Sequence, residues 1–311
     1  MTSIDEADAG ETGGMRDAGN AGLPVRPELI DVLDLAPDPD GDPDRFLGYT
    51  PPSPLPRVFG GQVLGQALTA ATRTVDGSRP VHSLHGYFLR PGDPHRPISF
   101  AVERMRDGRS FSARRTHALQ GGKPILSMIS SFQTSAAGLD HQEPMPDVPD
   151  PESLPTMTEL LAGSDDPRAE FWRRQRPVDF RPTDGEAHLQ ALPQDGPPQA
   201  VWMRATEPLP DDPAIHAAAL AYISDFGLLQ PVLRRHGLTL GGPGLKVASL
   251  DHAMWWHRPA RVDEWLLYVL RSPSASGARG LGLGEIFTRD GVLACTVAQE
   301  GMIRRAREEE P

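Results

Sequence analysis

Two stretches of the chain alternate apolar and polar residues and then stop in the same way. Lys246 to Pro259 ends in Trp255-Trp256-His257-Arg258-Pro259, and Val81 to Pro91 is a rougher copy ending in Tyr87-Phe88-Leu89-Arg90-Pro91. Alternation with period two marks a half-buried strand, and proline, which has no N–H for a ladder, halts it. The chain therefore reads as a duplicated module. Aligning Ser83 with Ser249, or the two Arg-Pro pairs, gives registers two residues apart, so each face keeps its parity either way.

The flanking patterns extend the duplication. Pro27 to Leu35 predicts a short helix, with proline at its start and Leu29, Ile30 and Leu33 on one face, closed by a Pro-Asp-Pro-Asp-Gly break. Phe46 to Tyr49 is a brief strand, and Gly60 to Thr72 a helix of small residues against which strands can pack closely. Strands follow at Val81 to Leu89, Ile98 to Met105, Phe111 to Gln120 and Ile125 to Gln133, with Arg106-Asp107-Gly108 and Gln120-Gly121-Gly122 as turns. From about Ser135 to Gln199 prolines crowd and acids dominate, which predicts a surface connector with at most one helix, Met157 to Ala162. Order then restarts. Ile215 to Ile223 reads as a strand, Asp225 to Arg235 as a helix with Asp225 near its N-cap, and Gly237 as its stop. Strands Val247 to Trp256, Glu264 to Leu270, Ala278 to Thr288 and Val292 to Met302 complete the second copy, with Arg289-Asp290-Gly291 as the matching turn. One helix followed by antiparallel strands, twice, is an α+β architecture.

Composition narrows the classes. The 311 residues suffice for two ordinary domains. A formal charge of −11 and the absence of any Lys/Arg run argue against nucleic acid as a partner. Cys295 is the only cysteine, which excludes an intramolecular disulfide and a cysteine-based zinc site and fits a reducing, cytoplasmic setting. Met1 to Gly22 lacks an apolar core for a secretory signal and reads as a disordered tail, no apolar run is long enough for a membrane span, and Glu308-Glu309-Glu310-Pro311 is not a peroxisomal address. Lys123 and Lys246 are the only lysines, so nearly every basic residue is Arg, a bias that fits a GC-rich genome and also suits phosphate groups.

Phe59-Gly60-Gly61-Gln62, Tyr87-Phe88-Leu89-Arg90-Pro91-Gly92, Ser224-Asp225-Phe226, Asp251-His252 through His257-Arg258-Pro259, and Gln299-Glu300-Gly301 occur in this order. Together they resemble the acyl-CoA thioesterase II family over roughly residues 26 to 304. The resemblance implies a double hotdog, two tandem helix-wrapped antiparallel sheets. On that reading residues 1–25 form a tail, 26–136 and 200–305 the two hotdogs, 137–199 the connector, and 306–311 a second tail. It also implies hydrolysis of acyl-CoA without a cofactor or metal, a homo-oligomer, and a water oriented by an Asp, a Thr or Ser, and a Gln. By motif position these fall on Asp225, Ser249 and Gln299. Ser249 stands where many members carry Thr, which keeps the hydroxyl and drops a methyl.

Taken alone, each residue also has an ordinary structural role. An Asp at a helix start is usually a cap, although a carboxylate ending an Ala- and Ile-rich segment would be desolvated and its pKa raised toward that of a useful base. Gln299 shares strand parity with Leu293, Cys295 and Val297, so its amide points inward and needs partners. Ser249 shares parity with Val247, Asp251, Ala253 and Trp255. Asp251 and His252 look like an acid–base pair, but neighbouring strand residues face opposite ways. Asp251 is therefore expected to orient Ser249 or pair with an arginine, and His252, like His82, His85 and His257, to lie outside the chemistry. Backbone N–H groups around Gly60 and Gly61 are candidates for an oxyanion hole, Trp255, Trp256 and Phe226 for walls of an acyl tunnel, and Arg109, Arg114 and Arg279 for contacts to the phosphates of coenzyme A. No Gly-x-Ser-x-Gly elbow or His-Glu-x-x-His motif occurs, and Gly280-Leu281-Gly282-Leu283-Gly284 lies in a strand with no following helix, unlike a dinucleotide loop. The alternatives are an acyl-CoA hydratase of the same fold, for which no His follows Asp225 closely, and a non-catalytic acyl-CoA binding protein.

Overall fold

The computed structural model describes residues 28–52, 56–163, 177–185, 199–240 and 242–305. The tails expected at 1–25 and 306–311 lie outside them. In chain order the described elements begin with α1 (Leu29–Leu33), β1 (Ala36–Pro37), β2 (Arg45–Gly48), α2 (Gly60–Thr72), β3 (Val81–Phe88), β4 (Ile98–Asp107), β5 (Phe111–Gln120) and β6 (Lys123–Gln133). After α3 (Met157–Leu160) and β7 (Val178–Pro182) come β8 (Gln199–Ala205), α4 (Pro213–Ser224), α5 (Gln230–Arg234), β9 (Leu245–Ser249), β10 (Asp251–Trp256), β11 (Leu266–Ser276), β12 (Arg279–Thr288) and β13 (Leu293–Arg305).

The strands form one antiparallel sheet in the order β1-β2-β4-β5-β6-β3-β10-β13-β12-β11-β8-β7, with β9 also on β13. Its seam is the duplicated strand itself. β3 pairs antiparallel with β10, Leu84 opposite Met254 and Tyr87 opposite Asp251, so each copy satisfies the edge the other would leave open. Behind the sheet, α2 and α4 lie side by side and antiparallel. A Cβ on Gly61 would sit 2.2 Å from the Tyr222 carbonyl oxygen, and one on Gly65 3.0 Å from that of Ala218, so the close approach depends on glycine. Both halves contribute to a single core, including Leu64, Leu68, Leu84, Phe100 and Met128 from the first and Leu220, Ile223, Met254, Tyr268 and Ile286 from the second.

Residues 213–224 are helical, which overturns the strand expected at Ile215 to Ile223. Asp212 caps the start, its carboxylate accepting from the Ala214 N–H at 2.9 Å, with Pro213 in the first turn and alanines dominating the interior. Helical period is illegible there because α4 is enclosed on nearly every side, so it has no polar face. The helix expected to begin at Asp225 is displaced as well. Asp225 is the C-cap residue of α4, Gly227 turns the chain at φ +77°, and α5 starts only at Gln230. Gly237, at φ +64°, does end α5, with the Leu238 N–H reaching back to the Leu233 carbonyl.

The connector carries more than the one expected helix. Its strand β7 extends the sheet beyond β8. Met145, Val148 and Leu154 pack on the outer face of the C-terminal strands against Trp202, Trp265, Leu267 and Phe287. Leu293 belongs to that outer cluster and not to the face of Cys295, Val297 and Gln299, because an extra residue at Ala294 shifts the β12–β13 register. No helix among the described residues is long and apolar enough to cross a membrane.

Candidate active site

The expected trio converges at the junction of the two halves. The chain leaves α4 at Ser224 and turns through 226–229 across bare backbone of β12 and β13. A Cβ on Gly282 would lie 2.0 Å from the Leu228 carbonyl oxygen, one on Gly301 2.3 Å from the Leu229 side chain, and one on Gly284 2.3 Å from the Tyr268 ring. That is the role of the Gly-x-Gly-x-Gly run: it lets this segment and Tyr268 sink onto the sheet. Tyr268 donates its hydroxyl to the Ser224 carbonyl at 2.8 Å, which fixes the helix end that carries Asp225.

Asp225 Oδ2 accepts the Gly61 N–H at 2.9 Å. The carboxylate thus does meet a helix N-terminus, but that of α2 in the other half. Gly60 is equally constrained, since a Cβ there would be 2.8 Å from Oδ2 and 3.0 Å from the Phe88 ring. The Gln299 amide acts on the same carboxylate and favours its ionised form. Burial is the largest influence on Asp225 and pushes its pKa up to about 6, against the opposing pull of the bonds from Gln299 and Gly61 and of the Arg57 charge. Arg57 itself is held at the site's edge by donating to the Val247 carbonyl at 3.0 Å.

Gln299 is the hub. Its Nε2 donates to Ser249 Oγ at 2.7 Å, and its Oε1 is hydrogen-bonded to Nδ1 of His252. His252 is wholly buried, its Nε2 lies 2.9 Å from Ser224 Oγ, and burial lowers its pKa to about 4, so the imidazole is neutral at physiological pH.

Strict alternation places Ser249 with Asp251 and away from His252, and the structure reverses this. Ser249 pairs with Gly301 and Ala253 with Ala298, so four steps on one strand span three on its partner. The extra residue is a bulge at the β9–β10 break, and it moves His252 onto the face of Ser249 and Gln299. Asp251 goes to the other side and accepts the Glu300 N–H at 2.7 Å, so it neither orients Ser249 nor meets an arginine there. No glycine or proline between Ser249 and His252 announces the bulge. His252 is the site residue that sequence reasoning sets aside.

Other expectations are also corrected. The Gly61 N–H is occupied by Asp225, which removes it from an oxyanion hole. Arg114 is buried under the first half, donating to Thr74 Oγ1, to backbone carbonyls and to Asp107, so it is committed internally. Arg279 is paired with Glu300 at 2.9 Å. Trp255 stacks edge-on against exposed His85 on the outer face, whereas Phe226 does line an apolar pocket together with Met157, Phe180, Val201, Gly227, Gln230 and Leu270.

An acyl-CoA thioesterase family model matches residues 181–302, and a model of the acyl-CoA thioesterase N-terminal domain matches residues 50–133. Human acyl-coenzyme A thioesterase 8 is 40% identical over 304 residues, covering 94% of this chain and 93% of that protein. The chain belongs to the acyl-CoA thioesterase family. Acyl-CoA thioesterase 2 of Haemophilus influenzae is 38% identical over 265 residues, 83% of this thioesterase and 92% of the relative. The crystal structure of the acyl-CoA thioesterase II TesB2 from Mycobacterium marinum superposes with a TM-score of 0.73 at 43% identity, covering 91% of this chain and 99% of that one. A hot dog fold protein from Alicyclobacillus acidocaldarius, at 20% identity and a TM-score of 0.69, shares the fold. The thioesterase is thus a double hotdog whose two halves are fused along β3 and β10.

Proposed function

We propose that this thioesterase hydrolyses fatty acyl-CoA to the free acid and coenzyme A, with Asp225 as general base and Ser249 and Gln299 holding the attacking water. The carrying observation is the convergence of a carboxylate, a hydroxyl and an amide around Gln299, contributed by a helix end and two strands remote in sequence. A pKa near 6 leaves Asp225 mostly ionised at neutral pH yet basic enough to take a proton from water.

Ser249 Oγ accepts from Gln299, so its own proton is free to bond the water. Water adds to the thioester carbonyl carbon while its proton passes to Asp225. The tetrahedral oxyanion then collapses, the C–S bond breaks, and the thiolate leaves. A thiol with a pKa of about 8.5 needs no strong acid to depart. Gly60, at the start of α2, is the remaining oxyanion donor of the glycine pair, where the helix dipole favours negative charge. Phe226, Val201 and Leu270 form an apolar wall that begins at the residue after Asp225, and an alkyl chain bound on this side would have to part these side chains, because the space between them is water-sized.

Thiol release from a panel of saturated acyl-CoAs tests this reading. We expect turnover by the wild type, at least a 100-fold lower kcat, roughly, for Asp225→Asn, and no pre-steady-state burst. A burst of an acyl-enzyme makes Ser249 a nucleophile. Loss of enoyl absorbance without thiol release makes the protein a hydratase, and tight binding without turnover makes it a sensor.

A further inference from the structure

We infer that His252, backed by Ser224, is a positioning residue that sets which way round the Gln299 amide lies. The inference rests on the proposed roles of Asp225 and Gln299. An ionised carboxylate has no proton to donate, so the end of Gln299 that meets Asp225 must be its NH2. The same NH2 supplies the bond to Ser249 Oγ at 2.7 Å, so the donor end of the amide serves both groups. The Oε1 atom is thereby turned to His252, whose Nδ1 must carry the ring proton. Nε2 becomes a buried acceptor, and among the described residues the neighbour that satisfies it is the Ser224 hydroxyl at 2.9 Å.

Ser224 has two rival acceptors, the Ala221 carbonyl at 3.0 Å and Met254 Sδ at 3.2 Å. Donating to either would leave the ring nitrogen unpaired in the core, the costlier arrangement. Hydrogen-bond polarity therefore runs in one direction, from the Ser224 hydroxyl through the imidazole to the Gln299 carbonyl, with the amide NH2 directed at Ser249 and Asp225. A flipped amide would set Oε1 against the carboxylate and strip Ser249 of its donor. Ser224 and Asp225 are consecutive, so the turn that delivers the base also delivers the group that fixes the imidazole tautomer.

The test separates positioning from packing by two substitutions of similar polarity. His252→Asn keeps a donor near Nδ1, whereas His252→Gln places its amide near Nε2. With the full-length enzyme and saturated acyl-CoAs, His252→Gln should lower kcat about tenfold or more, the factor expected for one lost hydrogen bond, with KM within about threefold. His252→Asn should retain most of the rate. Weakening the Gln299 bond to Asp225 should also move the acidic limb of kcat/KM upward in His252→Gln, with Arg57, Gly61 and Tyr268 still in place around the carboxylate. The double variant with Gln299→Ala should be no slower than Gln299→Ala alone, because His252 acts only through that amide. Equal rates for the Asn and Gln variants, an unmoved limb, or multiplying effects in the double variant overturn the inference. If His252→Gln does not fold, Ser224→Ala reads the same linkage: a several-fold loss with an upward limb supports it, and wild-type behaviour overturns it. Wild-type turnover by Gln299→Ala is a different result and refutes the site assignment beneath it.

Discussion

Replacing Asp225 by Asn should make the protein more stable at neutral pH while stopping its chemistry. The folded carboxyl titrates at about 6 and its ordinary value is 3.8, so the folded state binds the proton more tightly than the unfolded chain. Between those values folding takes up a proton. Wild-type stability therefore gains from this group as the pH falls from about 6 toward 4, and ionisation above pH 6 costs that amount. At 1.36 kcal/mol per pH unit the gap corresponds to about 3 kcal/mol. Asp225 retains partial solvent contact, so about 2 kcal/mol is the better expectation. Asn is neutral at every pH and can still accept the Gly61 N–H. Its advantage should appear at pH 7.5 as a melting temperature higher by about 2–4 °C per kcal/mol and should shrink toward zero near pH 4. Thermal or urea unfolding of both proteins at the two pH values reads this directly. A variant that is less stable at pH 7.5, or a gap that does not narrow on acidification, refutes the claim that the fold holds a desolvated carboxylate at a cost to itself.

Three further outcomes are expected. The wild-type kcat/KM should fall about tenfold per pH unit below an apparent pKa near 6, because protonation removes the base; a flat profile down to pH 4 would exclude Asp225 from that role. Gly61→Ala should cost about 1–3 kcal/mol in denaturant unfolding and lower kcat, since its Cβ would lie 2.2 Å from the Tyr222 carbonyl and push α2 away from Asp225. An unchanged unfolding midpoint would show that the helix contact is not tight. Val201→Ala, widening the water-sized space beside Phe226, should raise the ratio of kcat/KM for long over short acyl-CoAs by about tenfold; an unchanged ratio would place the acyl chain elsewhere.

How much of this was legible in the sequence varies with the range of the forces involved. The helix at Gly60–Thr72 and the hairpin strands were legible because a run of small residues, turn chemistry and period-two alternation act over a few residues. α4 was not, because a helix enclosed by both halves has no polar face to give it a period. The connector strand Val178–Pro182 is not legible because its sequence neighbours are prolines and acids and it is defined by its pairing with β8 at the sheet edge. Asp225, Ser249 and Gln299 were named through family resemblance, and their separate patterns would have left each with an ordinary structural role.

The sequence by itself determined the duplication, the antiparallel strands and the identities of three polar groups, all of which reside in local pattern or motif order. Only the tertiary structure decided what those groups touch. One extra residue between Ser249 and Ala253 reverses strand parity and brings His252 to Gln299. The helix N-terminus that meets Asp225 belongs to the opposite copy. Register and helix-to-helix docking are set by packing of the whole core, so no local stretch of residues encodes them alone.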